Sequence, residues 1–193
     1  MKIAACGTLL SSETCRAVIT IPETTPLGKI AGTVFGMAHA YSVDGATFYT
    51  SGDLVNALAS YWYGFGWLHF GSASGLFSTP GSGMNSCPFV GRCESLPVNL
   101  TPKLIEKTTR YARLLDTARA SVVPAPDPAT SAHDFASRLL VIVACYATQG
   151  TYYQQEGLHE DALACFSYGH GWLDAGVRSG LFRITRNRDL FTV

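Results

Sequence analysis

The sequence predicts an all-α fold, in which two homologous three-helix units pack as a pseudo-two-fold helical bundle. The first observation behind this prediction is that the chain repeats itself after 105 residues. The second is that its apolar residues recur at the spacing of helices. No stretch alternates between polar and apolar residues over a useful length, so the sequence gives no support for a sheet.

The repeat is clearest between residues 57–77 and 162–182, which align without a gap and share 13 of 21 residues. A Tyr-Gly pair, a Gly-Trp-Leu motif and a Ser-Gly-Leu-Phe motif are common to both segments. We therefore predict a first helical repeat at residues 1–77 and a second at 99–193. Residues 78–98 between them are rich in Gly, Pro and Ser, which is typical of a linker or a long surface loop.

Each repeat is predicted to contain three helices. Thr-Pro at the start and a Pro-rich stop delimit the first helix of the second repeat, and a glycine turn ends the next one. The third is the glycine-bearing helix that the two repeats share. The predicted helices are 4–20, 29–52 and the one within 57–77 in the first repeat, and 101–122, 133–157 and the one within 162–182 in the second.

The shared helices each contain four glycines, and a glycine inside a helix costs up to about 1 kcal/mol. A row of small residues permits another backbone to approach closely, so we interpret these glycines as helix-packing residues. Room for a ligand is the alternative. The predicted packing residues, with the tryptophan beside each row, are Gly64, Trp67, Gly71, Gly75, Gly169, Trp172, Gly176 and Gly180.

A second face of the C-terminal helix brings together residues that could take part in catalysis or ligand binding. His170, Asp174 and Arg178 follow each other at four-residue steps, with Tyr168 nearby. An imidazole oriented by a carboxylate can act as a general base, and an arginine can hold a phosphate or carboxylate. These four residues are the candidate ligand-binding site.

The first repeat argues that this face is not part of the shared scaffold. It has Phe65, His69 and Ala73 at the matching positions. Two interpretations follow, namely a small-molecule or phosphate site on the second repeat alone, or a partly exposed salt-bridge series that is free to vary. We identify no catalytic residue, because no Ser or Cys stands in a recognisable nucleophile motif.

The composition excludes several partners. Lys plus Arg equals Asp plus Glu at 14 each, so no global basic field attracts nucleic acid or anionic membrane. Weak RNA binding by Arg178, Arg183, Arg186 and Arg188 is a third possibility. The longest apolar run, residues 139–147, is too short to cross a bilayer. No membrane association is expected, and the N-terminus lacks signal-peptide features, which predicts a cytoplasmic protein.

The six cysteines form no CxxC pair, and no His or Cys set has metal-ligand spacing. We therefore expect neither a metal nor a cofactor. Most of these cysteines are interpreted as small core residues. Cys87 and Cys93 are the one pair to examine for a disulfide or a metal.

The string YGHGWLDAGVRSGLF, with the helices upstream of it, resembles the archaeal family known as domain of unknown function 357. The resemblance covers about half of the chain, and the first repeat looks like a diverged copy. It implies a short helical bundle in an archaeal cytoplasm and no assigned activity. A weaker likeness is to tetratricopeptide hairpins, through Gly150, Tyr153, Gly157, Ala162 and Phe166.

The leading function hypothesis is a non-enzymatic scaffold or protein-interaction module, which binds a protein partner or a second copy of itself. An antiparallel hairpin of the tetratricopeptide kind is compatible with such a use. The competing hypothesis is the ligand site on the second repeat, which requires its four side chains to converge on an open cleft.

Overall fold

The computed structural model of the chain describes residues 3–79 and 96–191. Six α-helices lie in this part of the chain, three in each repeat, so the all-α fold class is confirmed. They are α1 (Ile3–Arg16), α2 (Pro26–Thr50), α3 (Leu54–Ala73), α4 (Thr101–Arg119), α5 (Ser131–Gln155) and α6 (His159–Arg178). Residues 80–95 lie outside the described residues, and Cys87 and Cys93 are among them. The boundaries predicted for this junction therefore stay predictions.

The second and third helices of each repeat form an antiparallel hairpin whose ends follow from local sequence. Thr25 caps α2 by accepting a hydrogen bond from the Gly28 amide at 3.0 Å, and Pro26 occupies the first turn. The chain leaves α2 through Gly52 and leaves α5 through Gly157, with φ of +81° and +74°. Because only glycine adopts this conformation at little cost, both hairpin turns depend on it.

Helices α3 and α6 form the centre of the bundle. They pack against each other, and each is also covered by the two other helices of its own repeat. An unbroken run from Ala162 to Val177 is buried in α6, as expected for a helix that is surrounded on all sides. The two central helices therefore join the repeats, and we call their contact the seam.

The absence of strands is the part of the fold prediction that needs correction. Strand β1 (Val122–Pro124) pairs antiparallel with β2 (Phe182–Ile184), so that Val123 faces Arg183. In the first repeat a single bridge joins Val18 to Ser78, at the equivalent positions. Three residues are too few to show an alternating pattern. The pairing arises because the chain turns back after the central helix and passes the end of the first helix of its repeat.

The shared glycines have three different roles, and this corrects the prediction of one packing row. A Cβ on Gly64 would lie 2.8 Å from Leu10, and a Cβ on Gly169 would lie 3.1 Å from Leu115, the equivalent leucine of the second repeat. Both glycines therefore allow a leucine on the first helix of their own repeat to pack closely against the central helix.

Gly71 and Gly176 in turn make room for an aromatic ring of their own repeat. A Cβ on either glycine would overlap Phe77 or Phe182, respectively. Each ring belongs to the Gly-Leu-Phe motif just past the central helix. Both repeats therefore keep the phenylalanine of this motif together with the helical glycine that it packs on.

Gly75 and Gly180 are not packing residues. They lie beyond the helix ends with φ of +73° and +80°, and a Cβ on either would meet open space. Their role is to end α3 and α6 in the left-handed conformation. The stretch from residue 166 to 182 is accordingly a helix only as far as Arg178.

Candidate functional site

The closest approach of the two repeats lies at Gly66 and Gly171, which hold equivalent positions on α3 and α6. A Cβ on Gly66 would lie 2.6 Å from the carbonyl oxygen of Tyr168 and 2.8 Å from Cα of Gly171. A Cβ on Gly171 would overlap the carbonyl oxygen of Tyr63 in the same way. Because each contact has its counterpart with the two helices exchanged, the seam is isologous, as in a two-fold dimer.

Asp174 is one of the predicted site residues, and its carboxylate is hydrogen-bonded within the seam. Its Oδ2 accepts a hydrogen bond from the Tyr63 hydroxyl of the first repeat. Only 2% of Asp174 is exposed. The Tyr63 ring packs at 4.4 Å on Tyr41, and burial together with the Asp174 charge raises the pKa of Tyr41 to about 12.

Tyr168 makes the equivalent crossing in the opposite direction. Its hydroxyl lies 2.8 Å from Nδ1 of His69, and Nε2 of His69 lies 3.7 Å from Oε2 of Glu13. His69 occupies the position in the first repeat that Asp174 occupies in the second. The connectivity is that of a carboxylate, an imidazole and a hydroxyl, but Tyr168 is buried and offers solvent no nucleophile.

His170 is buried among aromatic rings. It stacks on Tyr63 at 6.4 Å between ring centroids and meets the edge of Tyr111 at 6.3 Å. Burial lowers the pKa of His170 to about 4, so the imidazole is neutral at pH 7. Its Nε2 has no hydrogen-bond partner among the described residues. The ring therefore contributes packing surface and has no open side toward a substrate.

Arg178 is separated from the other three predicted residues. It occupies the last turn of α6 and is exposed, whereas Tyr168, His170 and Asp174 are buried in the seam. The four side chains therefore do not converge on an open cleft, which is the arrangement that the predicted ligand site requires. The alternative of a partly exposed salt-bridge series does not fit His170 and Asp174 either, because both are buried.

The two shared tryptophans line the same central region. Trp67 is fully buried, and Trp172 meets the ring of Phe70 edge-on at 6.0 Å. Both indole Nε1 atoms are buried and lack a hydrogen-bond partner within the described ranges. The indoles thus act as apolar bulk across the seam.

A polar cluster at the start of α3 was not predicted from the sequence. Asp53 caps α3 and accepts two bonds of 2.8 Å from Nζ of Lys103, while Asn56 accepts one from Nζ of the buried Lys107. Burial lowers the pKa of Lys107, whose ammonium also lies 4.8 Å from the Tyr111 ring centroid. One part of this cluster could have been found from the sequence, because an Asp directly before an apolar helix, here Asp53, is an N-cap pattern. Its partners lie about fifty residues away.

The described residues contain no cluster of His, Cys, Asp and Glu that could hold a metal. Within the same ranges Cys6 and Cys165 are buried thiols, while Cys15 and Cys145 are exposed ones. None of the described helices is long and apolar enough to span a membrane. Three of the side chains that suggested a ligand site, Tyr168, His170 and Asp174, are thus buried where the two repeats meet.

These features define a class of protein, namely an internally duplicated all-α bundle that closes on its own two-fold seam. The family model described as "Protein of unknown function (DUF357)" matches residues 8–77 and again residues 110–182. The chain belongs to this family and carries two copies of its domain. No curated protein and no solved structure matches the chain.

Proposed function

We propose that this chain is a non-enzymatic helical scaffold that serves as a protein-interaction module. The observation that carries the proposal is the burial of Tyr168, His170 and Asp174 in the seam. Side chains with catalytic potential are used there to join the repeats, which leaves recognition to the outer surface. Binding through exposed helix faces is what a rigid bundle with a satisfied interior offers a partner.

The outer face of α5 is the surface that best supports this role. Val141 is 61% exposed and Tyr152 is 52% exposed, and exposed Cys145 lies between them at helical spacing. The equivalent face of α2 has Gly36 and Thr47 where α5 has Val141 and Tyr152. Large apolar side chains that stand in solvent at positions where the other repeat has small ones are typical of an interaction surface.

The proposal is tested by capture of partners on immobilised protein from a native lysate, with quantification by mass spectrometry. We expect Tyr152→Glu to release the specifically enriched protein, because it places a charge in the centre of the face. Thr47→Glu is the matched control, since it introduces the same charge at the equivalent position of α2 and should leave capture intact. Sedimentation of both variants monitors self-association. Equal capture by both variants, with unchanged sedimentation, contradicts the proposal.

Weak RNA binding is a second candidate, favoured by the arginines near the C-terminal end of α4. Arg183, Arg186 and Arg188 are exposed, and Arg186 donates a 3.0 Å hydrogen bond to the carbonyl of Ala120. Such a cluster would contact phosphates, with an affinity that falls steeply as salt rises. A labelled single-stranded RNA that shows no binding at low salt, or equal binding by the Arg183→Ala variant, rejects this candidate.

A further inference from the structure

Two equivalent grooves lie on the outside of the bundle, each between the first and second helices of a repeat. The groove between α1 and α2 has a volume of about 650 Å³, and the groove between α4 and α5 has about 340 Å³. Ala46 lines the first and Thr151 lines the second, at positions that match in the two repeats. The larger volume falls in the range of small-molecule sites.

The walls of the two grooves differ in charge. Asp116 and Arg119 line the groove of the second repeat, where the first repeat has Ser11 and Thr14. The described residues that line the groove between α1 and α2 include no Asp, Glu, Lys or Arg, although they do include His39. Because the described walls offer no carboxylate and no Lys or Arg as a counter-charge, this groove favours an uncharged molecule.

Tyr61 of α3 forms the floor of the groove between α1 and α2. Its ring lies between two glycines, because a Cβ on Gly45 would overlap the ring and a Cβ on Gly7 would lie 2.6 Å from the hydroxyl oxygen. Only 3% of Tyr61 is exposed, and burial raises its pKa, so the phenol keeps its proton at neutral pH. The side chain of Tyr61 lines the groove and brings this phenol to its surface.

The second repeat shows that this hydroxyl is a feature of the first groove alone. Phe166 stands where the first repeat has Tyr61, and Ala112 stands where it has Gly7. The first repeat therefore has the hydroxyl of Tyr61 on its third helix, and the second repeat has instead the methyl group of Ala112 on its first helix. The hydroxyls of Thr8, Thr14 and Thr50, which also line the groove, donate to carbonyls of their own helices.

We propose that the groove between α1 and α2 binds an uncharged, mostly apolar organic molecule whose carbonyl or ether oxygen accepts a hydrogen bond from the Tyr61 hydroxyl. A ligand oxygen that reaches this phenol accepts a hydrogen bond in a largely buried setting. Small side chains on both walls leave room for a flat ring system. This site is independent of the protein-interaction surface on α5, and either can fail alone.

The neutral naphthyl ketone prodan is a suitable probe, since it has a carbonyl acceptor and its emission reports polarity and hydrogen bonding. We expect saturable binding at one site per chain, with a blue shift of the emission. Ala46→Phe, which fills the exposed middle of the groove, should abolish this signal. Thr151→Phe makes the matched change in the other groove and should leave it unchanged.

The hydroxyl is tested with the pair of residues that the second repeat itself uses. The double variant Gly7→Ala/Tyr61→Phe keeps the space filled and removes only the donor. We expect about a three- to tenfold loss of prodan affinity, the usual value of one neutral hydrogen bond. An unchanged affinity overturns the role of Tyr61. Absence of saturable binding to the wild-type chain, or an equal loss in Thr151→Phe, overturns the site.

Cys15 provides a second measurement that does not depend on fluorescence. Its exposed thiol lines the groove, whereas exposed Cys145 lies on α5, away from it. Alkylation followed by peptide mass spectrometry should therefore show Cys15 protected by saturating prodan while Cys145 reacts at its usual rate. Equal rates at Cys15 with and without prodan contradict binding in this groove.

Discussion

The seam is crossed twice by a tyrosine, at positions that the pseudo-two-fold makes equivalent, yet the two crossings end on different groups. Tyr63 donates to a buried carboxylate, Asp174, whereas Tyr168 pairs with His69, which is backed by Glu13. A true homodimer would present the same residue at both ends. Two copies joined in one chain can keep the close approach and diverge in its polar contacts.

The difference suggests what each kind of contact contributes. The glycine contact is the same in both directions and fixes how closely α3 and α6 approach. The polar pairs differ because His69 and Asp174 have diverged, whereas Tyr63 and Tyr168 have stayed the same.

The largest effect is expected where the two directions are alike. In Gly171→Ala the added methyl meets the backbone of α3 at Tyr63 and Gly66, neither of which can rotate away. We expect a loss of about 3 kcal/mol in unfolding free energy, at the upper end of the range for overpacking. Urea denaturation measures it.

Gly169→Ala is the matched control for this change. It lies two residues away on the same helix, but its Cβ would lie 3.1 Å from a flexible leucine side chain, Cδ2 of Leu115. We expect it to cost clearly less. If Gly169→Ala destabilises as much as Gly171→Ala, backbone contact does not define the seam.

Acid should lower the stability of the protein through one position at which the repeats differ, because α6 has His170 where α3 has Phe65. Burial holds the pKa of His170 at about 4, below its ordinary value of 6.5 in the unfolded chain. In that interval the unfolded state binds a proton that the folded state does not. Stability is therefore complete above pH 6.5 and falls as the pH drops toward 4, by roughly 2 to 3 kcal/mol.

Chemical denaturation at neutral pH and near pH 4.5 checks this expectation. His69, Glu13 and Asp174 are other ionisable groups in the seam, so the informative quantity is the difference from His170→Phe. That variant places the residue of the first repeat in the second and should lose less stability on acidification. An identical loss in both proteins would show that His170 does not set the pH dependence.

Much of the fold could be predicted because its signals are local and repeated. The 105-residue offset identified six helices and the contact between the glycine-bearing ones. The glycine roles could not be separated, because residues such as Gly71 and Gly75 lie on one helical face in projection. Only the three-dimensional turn shows that Gly71 faces a ring while Gly75 ends the helix.

The site was harder to predict for a physical reason. Spacing places His170 and Asp174 on one face of α6, but it does not tell whether that face meets water or another helix. Their absence from the first repeat suggested a variable surface. In fact they lie against Tyr63 of the first repeat, over a hundred residues away in the chain. Long-range partners of this kind leave no mark in the spacing of one helix.

The two polar crossings should differ in strength. Asp174→Ala removes the acceptor of Tyr63 in a buried setting, and we expect a loss of about 1 to 2 kcal/mol. His69→Ala should cost less, since a quarter of the His69 side chain is exposed and water can replace it. The double variant Tyr63→Phe/Asp174→Ala should recover part of the loss. A larger loss for His69→Ala in urea denaturation would reverse this assignment.

The smallest expected effect is a gain, and it concerns the outer faces of α2 and α5. Gly36 lies in the middle of α2, is exposed, and a Cβ there would contact nothing within 4 Å, while Val141 holds the equivalent place on α5. Gly36→Ala should therefore stabilise the protein by about 0.5 to 1 kcal/mol, through the lower entropy of the unfolded chain alone. A thermal unfolding scan measures the shift. A loss of stability would indicate that α2 needs Gly36 for a close contact, as α6 needs Gly171, and that a second copy or a partner packs on this face.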